Sequence, residues 1–504
     1  ASSIFCEREN MLRINGKSTA TKVKRPFILP PEVLQQNKKT VDDYAFDAEK
    51  EAVPDQFTSI SEIVRNYEFP SVIAEEAPGE YSILRHHAKR RERQGSSTYV
   101  SLHRSFEYKD PNEVSLLSLA SDLISDGEVD SDIACEIDSE VQVVGDKNNQ
   151  ANVILSLTTH FDGSSQKTIR QATRQLAELT PKWRSKIISS LFEAHLDLGE
   201  SLRNPLENLD FMESRASALV SQYGKLEDAI NGFTLYEVLD DLLRQHRTAP
   251  SNTIDHLINS ITPLLRRTPE SILVTTTGRS SKNLDIIRNA GAAQTLPILR
   301  AASKDFIAPT PEIWIIPGSV SSIAIAFDLR GYGLKDDGSV EVVQQIFNSR
   351  YIWELMREQF NCYGQDATYD EQSGVLTLSA SCVADIPSSL YAFFSAGDHL
   401  SNFSCSRSML DGIIRSTLSQ LDLPSDIQSE HSEAWLHWYQ GRDHNSWLQK
   451  RREIAATTQE RIREIGEVIR DATQTAGLVI SASSNQLEHL AKQADFTILD
   501  RLIR

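Results

Sequence analysis

The strongest constraint on this fold is a repeated order of elements. Residues 308–311 hold two prolines, Pro309 and Pro311, a pattern that interrupts regular structure. On either side the hydrophobic periodicity runs through the same succession: strand, helix, strand pair, helical block, strand. In the first half 111–123 has helical spacing, with Val114, Leu116, Leu117, Leu119 and Leu123 on one face. Segments 141–144 and 152–158 read as strands. Segments 165–179, 182–198, 206–223 and 226–246 read as helices, and 271–276 as a buried strand. In the second half 312–316 and 321–328 read as strands and 339–359 as one helix. There 361–369 and 374–382 form a hairpin. Helices over 388–399, 406–421 and 444–475 precede a last strand at 477–482 and a final helix. The expected fold is α+β. It has two homologous domains, each an antiparallel sheet covered by helices on one face. The expected bounds are an extended arm over 1–57, where Pro26, Pro30 and Pro31 oppose a helix, then domains over 58–304 and 305–504.

Charge and apolar run length narrow the function. The 504 residues hold 70 acidic and 52 basic side chains, a net charge of -18. Such a surface repels nucleic acid and favours basic partners. The longest apolar stretches, 313–317 and 323–327, suit buried strands and fall far short of the ~20 residues that cross a bilayer, so no membrane span is expected. The five cysteines (Cys6, Cys135, Cys362, Cys382 and Cys405) form no CxxC pair. That argues against a disulfide framework or a cysteine zinc site and for a reducing compartment. The first 25 residues carry six basic and two acidic side chains. This composition points to organelle import, without a clear amphipathic helix.

Motif searches mostly exclude chemistry. The acidic run from Asp122 to Glu140 lacks the glycine and glutamate offsets of a calcium loop: counted from Asp126, the sixth residue is Ser131 and the twelfth Ile137. It reads as a solvated loop. Neither HExxH nor HxxEH occurs; the nearest approach, ending at Glu488 and His489, has Asn485 where the first histidine would stand. His86 and His87 have no carboxylate at helical spacing. His431, His437 and His444 lie among Trp435, Trp438 and Trp447 and read as packing. Dinucleotide, P-loop and nucleophile-elbow patterns are missing, and 275–281 reads as a turn after a strand. The chain by itself is expected to hold no catalytic metal.

The segment around Arg357 carries more information. Arg357 lies near the end of the 339–359 helix, Tyr363 opens the next strand, and Gly364 follows. In the plainer reading Arg357 caps the helix C-terminus and Tyr363 is buried at a sheet edge. In the other, the two converge on one side of the turn, where a guanidinium and a phenol bind a peptide carbonyl and stabilise its oxyanion.

The Arg357–Tyr363–Gly364 segment resembles the C-terminal half of presequence-protease-like members of the pitrilysin (insulinase-like) zinc metallopeptidases. Those proteins have Arg and Tyr six apart in a segment close to R-E-x-G-G-A-Y-G. Ser373 and Gly374, segments 409–423 and 450–454, the helical 231–239 and the segment 57–63 are similar to the same half. The resemblance covers 57–504 and implies a clamshell of four homologous domains, of which this chain supplies the third and fourth. Zinc, its HxxEH ligands and the glutamate base would lie in an N-terminal partner half, with no metal ligands here. Arg357 and Tyr363 would be the catalytic side chains offered by this half, with Gly364 beside them in substrate binding. The implied function is degradation of short, unfolded, basic peptides in a mitochondrial or plastid matrix. The implied partners are the zinc-bearing half or other protein subunits and a peptide, not nucleic acid. Three departures stand out. Phe360, Asn361 and Cys362 replace Gly-Gly-Ala, putting bulk where backbone should approach the peptide. The third domain lacks its Thr-Gly-Gly turn, and 382–387 lacks Arg-Asp-Pro. They support a second reading, a catalytically inactive structural subunit of the same fold in an organellar complex.

Overall fold

The computed structural model describes residues 38–44, 59–65, 69–76, 82–88, 97–106, 111–125, 129–130, 137–147, 150–163, 165–177, 180–181, 184, 186–265, 269–277, 309–335, 337–422, 426–487 and 497–499. Most of the expected arm, the acidic run over 131–136, the 278–281 turn, the boundary at 304/305 and His489 lie outside them.

Two six-stranded sheets share one plan. The first half contributes β1 (Ile73–Glu76), β2 (Ser82–His87), β3 (Ser97–Phe106), β4 (Ile137–Gly145), β5 (Ala151–Asp162) and β6 (Ser271–Thr276), in the order β1-β2-β6-β3-β5-β4. The second contributes β7 (Glu312–Ile315), β8 (Ser321–Asp328), β9 (Gly364–Asp370), β10 (Val375–Val383), β11 (Gly477–Ala482) and β12 (Thr497–Leu499), in the order β9-β10-β8-β11-β7-β12. Matching β2, β3, β4, β5 and β6 to β7, β8, β9, β10 and β11 superposes the two orders. The α+β duplication is present as expected. Its sheets are mixed, because β2 joins β6 and β7 joins β11 in parallel, while the remaining ladders of the shared five strands are antiparallel. A strand that returns after a helical block re-enters beside the first strand in the same direction.

Each sheet has helices of its own half on one face. In the first these are α1 to α9 in chain order: α1 (Lys38–Asp42), α2 (Ile60–Arg65), α3 (Pro111–Ser125), α4 (Gln166–Ala177), α5 (Ile187–Arg203), α6 (Leu209–Val220), α7 (Gln222–Asn231), α8 (Phe233–Thr248) and α9 (Pro250–Leu265). Three of them depart from this arrangement: α1 and α2 pack against helices of the second half, and α6 lies on the second sheet. That half has α10 (Ser339–Ile346), α11 (Ile386–Ser401), α12 (Arg407–Leu421), α13 (Ile427–Tyr439), α14 (His444–Ala455) and α15 (Gln459–Ala472). Helices α11 and α15 cross so closely that a Cβ at Gly397 would lie 2.4 Å from the Arg470 nitrogen, and one at Gly466 2.5 Å from that of Ser401.

The opposite face of each sheet is covered by one helix of the other half. Helix α6 lies on β8, β10 and β11; α13 lies on β2 and β6. This explains the unbroken apolar run of β8, in which all eight residues are buried, serines included. Gly477 permits the α6 crossing, since a Cβ there would stand 2.4 Å from the Ala216 carbonyl oxygen.

Three helical expectations change. The stretch expected as one helix over 444–475 breaks after Ala455, where Thr458 caps α15 by accepting from the Arg461 N–H. Helix α13 covers the first part of the aromatic-rich stretch expected only to pack, and Asp426 caps its start by accepting from the Ser429 N–H. Helix α10 also ends early. From Phe347 to Gln359 the chain winds in wider, π-type turns. Phe347 and Met356 are both fully buried. Nine residues are two and a half turns of an ordinary helix, which would set them on opposite faces. Wider turns bring both to the core.

Candidate functional site

The wide turns end in a short reversal that leads into the edge strand of the second sheet. The Phe360 N–H donates to the Leu355 carbonyl at 2.9 Å and the Cys362 N–H to that of Met356 at 2.8 Å. Between them Asn361 adopts φ of 56°. This left-handed conformation favours glycine, and asparagine tolerates it better than most residues. The bulk at 360 and 362 points inward: Phe360 and Cys362 are 4% and 3% exposed. Phe-Asn-Cys therefore places no large side chain on the outer face of the reversal, which corrects the expectation of bulk at the peptide-facing backbone. Burial pushes the Cys362 thiol up to about 11, so it is no nucleophile near neutrality.

Arg357 and Tyr363 come together at the surface. The Arg357 Nη1 donates to the Tyr363 carbonyl oxygen at 2.7 Å, and the guanidinium carbon lies 5.6 Å from the centre of the Tyr363 ring. Tyr363 is 66% exposed, so it is not the buried edge residue of the plainer reading. Arg357 does bond a carbonyl near the end of the wound segment, as that reading expected, but the carbonyl belongs to Tyr363. Trp353, which sequence reasoning passed over, is 40% exposed, with its ring centre 5.1 Å from the same guanidinium carbon. Its signal was present: a tryptophan four residues before the arginine.

Gly364 opens β9 against β10. A Cβ there would stand 2.4 Å from the Ser381 Oγ, so glycine lets the edge strand approach. Farther along, the outer rim of β9 is occupied. Asn348 Oδ1 accepts from the Ala367 N–H at 2.7 Å, its Nδ2 donates to the Ala367 carbonyl at 2.9 Å, and Gln344 accepts from the Tyr369 N–H at 3.3 Å. Side-chain amides thus stand where an added strand would bond. The segment that departs from Arg-Asp-Pro serves the fold, since Asp385 caps α11 by accepting from the Ser388 N–H at 3.1 Å.

Several of the described histidines are engaged in hydrogen bonds to hydroxyls and a carboxylate. His431 shares hydrogen bonds with Thr275 and Ser101, and His103 with Ser101 and Ser156, while His86 meets Glu430. Among the described residues no group of three or more His, Cys, Asp or Glu side chains converges as metal ligands. Among the described residues, too, no helix is long and apolar enough to cross a membrane.

No family model matches the sequence. Presequence protease 1, chloroplastic/mitochondrial, of Arabidopsis thaliana is 21% identical over 173 residues, 34% of this chain and 16% of that protein's own length. The fold is similar to the peptidase M16 inactive domain of Pseudomonas fluorescens, with 12% identity, a TM-score of 0.57, and coverage of 82% of this chain and 98% of that one. It is also similar to a chain of complex III from Candida albicans, with 10% identity, a TM-score of 0.53, and coverage of 83% and 97%. The chain has the fold of one half of an M16 peptidase, the α+β arrangement that its resemblance to the C-terminal half of presequence proteases implies.

Proposed function

We propose that the chain is the zinc-free half of a presequence-protease-like peptidase, closing a chamber around short, unfolded, basic peptides. The observation that carries this reading is the exposed Arg357–Tyr363 contact at the open end of β9, with the side chains of Phe360 and Cys362 turned away from it. A peptide carbonyl beside that end would receive charge-assisted hydrogen bonding from the guanidinium and a second bond from the phenol. Donors aimed at a developing oxyanion contribute several kcal/mol to the transition state, on the order of 3. The occupied rim from Ala367 onward would confine a peptide to the end where Arg357 and Tyr363 lie. Zinc belongs, in this reading, to a separate half, as do the bond-breaking steps. The net charge of -18 favours basic peptides. An organelle matrix, mitochondrial or plastid, is supported by the plant relative's name.

The complex III chain favours a second reading, a structural subunit in an organellar assembly. Co-isolation separates the two. Pull-down from the native source should recover an HxxEH-bearing polypeptide, and the pair should hydrolyse an unfolded basic peptide. Recovery only with polypeptides that lack HxxEH, and no hydrolysis, would favour the structural subunit.

A further inference from the structure

We propose that Trp353 forms the apolar wall of the Arg357–Tyr363 site. Its indole would take an aromatic or long aliphatic side chain next to the peptide carbonyl held by Arg357. This rests on the peptide-binding reading above.

Three observations carry it. Trp353 is 40% exposed, while Ile352, Leu355 and Met356 around it are buried. The wide turns that sink those neighbours leave the indole outside. The Arg357 guanidinium carbon lies 5.1 Å from the Trp353 ring centre and 5.6 Å from that of Tyr363, so one cation touches two exposed aromatic rings. The side chain of the next residue is also tied down. Glu354 accepts from the Tyr44 hydroxyl at 3.0 Å and pairs with Arg350 at 3.6 Å. An exposed tryptophan beside an arginine held by the Tyr363 carbonyl has the composition of a binding hot spot. With the β9 rim occupied from Ala367 onward, a peptide has few backbone bonds to gain there, and side-chain contact would decide which sequences bind.

The test is fluorescence anisotropy with the full chain and two labelled peptides. Both have one Lys/Ser/Gly sequence, with a central Phe in one and Ala in the other. Trp353→Ala should weaken the Phe peptide about tenfold and the Ala peptide less than about twofold, and Trp353→Phe should restore most of the loss. Equal weakening of both peptides would mean that the indole only props Arg357, and would overturn the proposal. Arg357→Ala tests the underlying reading and should weaken both peptides. If it does so while Trp353→Ala changes neither, the Trp353 proposal alone fails. If Arg357→Ala changes neither, or if the wild-type chain binds neither peptide, both fail.

Discussion

Helix α6 crosses the second sheet and α13 crosses the first, and these topologically equivalent contacts are built from different chemistry. At the α6 crossing Arg215 donates twice to Glu312, at 2.8 Å each, and once to Asp228 at 2.9 Å. Met212, Ala216, Trp314 and Val479 pack beside it. At the α13 crossing neutral hydrogen-bonded side chains fill the interior, with the His86–Glu430 contact at 2.9 Å beside them. His431 shares hydrogen bonds with Thr275 at 2.6 Å and Ser101 at 2.9 Å, and His103 with Ser101 at 2.7 Å and Ser156 at 2.9 Å. Trp435 stacks on His103 at 4.0 Å and donates to Ser271. The Ser101 hydroxyl has one proton, so it donates to one imidazole and accepts from the other, and both rings can be neutral. One crossing is organised around a permanent charge; the other requires two histidines to stay uncharged.

The largest effect should come from Arg215→Ala. It leaves Glu312 and the fully buried Asp228 without their cation, at a cost of about 3–5 kcal/mol in urea unfolding. Although burial opposes its charge, the bonds to Glu312 and the nearby Asp228 hold the Arg215 guanidinium above its ordinary range. A loss under 1 kcal/mol would break the contrast, because the α6 crossing would then not depend on charge.

Acid should act next, on the other crossing. Burial, then the neighbouring His86, pushes His431 down from 6.5 to about 3, and burial, then His431, lowers His103 as well. Between these limits the unfolded chain binds protons that the folded chain refuses. For His431 the stabilisation is therefore complete above pH 6.5 and is lost as pH falls toward 3, by about 1.4 kcal/mol per unit at most, and His103 acts in the same direction. His431→Gln should flatten that acid slope; an unchanged slope would show that the imidazole network does not set it.

Glu213, on α6, has the opposite sign. Burial raises its carboxyl to about 7 against the pull of the Ser379 hydrogen bond, with Asp366 and Asp210 adding to the rise. Its stabilising share is complete below 4.5 and lost as pH rises toward 7. Glu213→Gln should gain about 1–2 kcal/mol at pH 8 and nothing near pH 4. A gain equal at both pH values would point to packing instead of ionisation.

The smallest effect concerns the reversal. Asn361→Ala should cost about 1 kcal/mol, because φ of 56° disfavours a plain Cβ, and Asn361→Gly should cost less. The order of the two losses in thermal unfolding checks this.

The shared plan of the halves was legible because both sheets are covered on two faces, which makes central strands such as Ser321–Asp328 continuous apolar runs. The α13 crossing was legible only as packing, since His431 and Trp435 disclose neither the helix nor the sheet that receives them. The wound segment was hidden for a similar reason: the spacing of Phe347 and Met356 fits no 3.6-residue period. At the site the Arg357–Tyr363 spacing found a real contact. Asn361 looked like a departure from glycine because a sequence does not display φ. Asn348 and Gln344, which occupy the rim of β9, carry no motif.

The most direct test of the central claim is peptide hydrolysis by the chain reconstituted with the zinc-bearing half proposed as its partner, compared with Tyr363→Phe and Arg357→Ala. Tyr363 is 66% exposed, so the loss of its hydroxyl should leave the unfolding midpoint unchanged. Turnover should fall about 10²-fold or more in each variant. Unchanged turnover in both would contradict the assignment of this half to substrate binding and leave the structural subunit as its function.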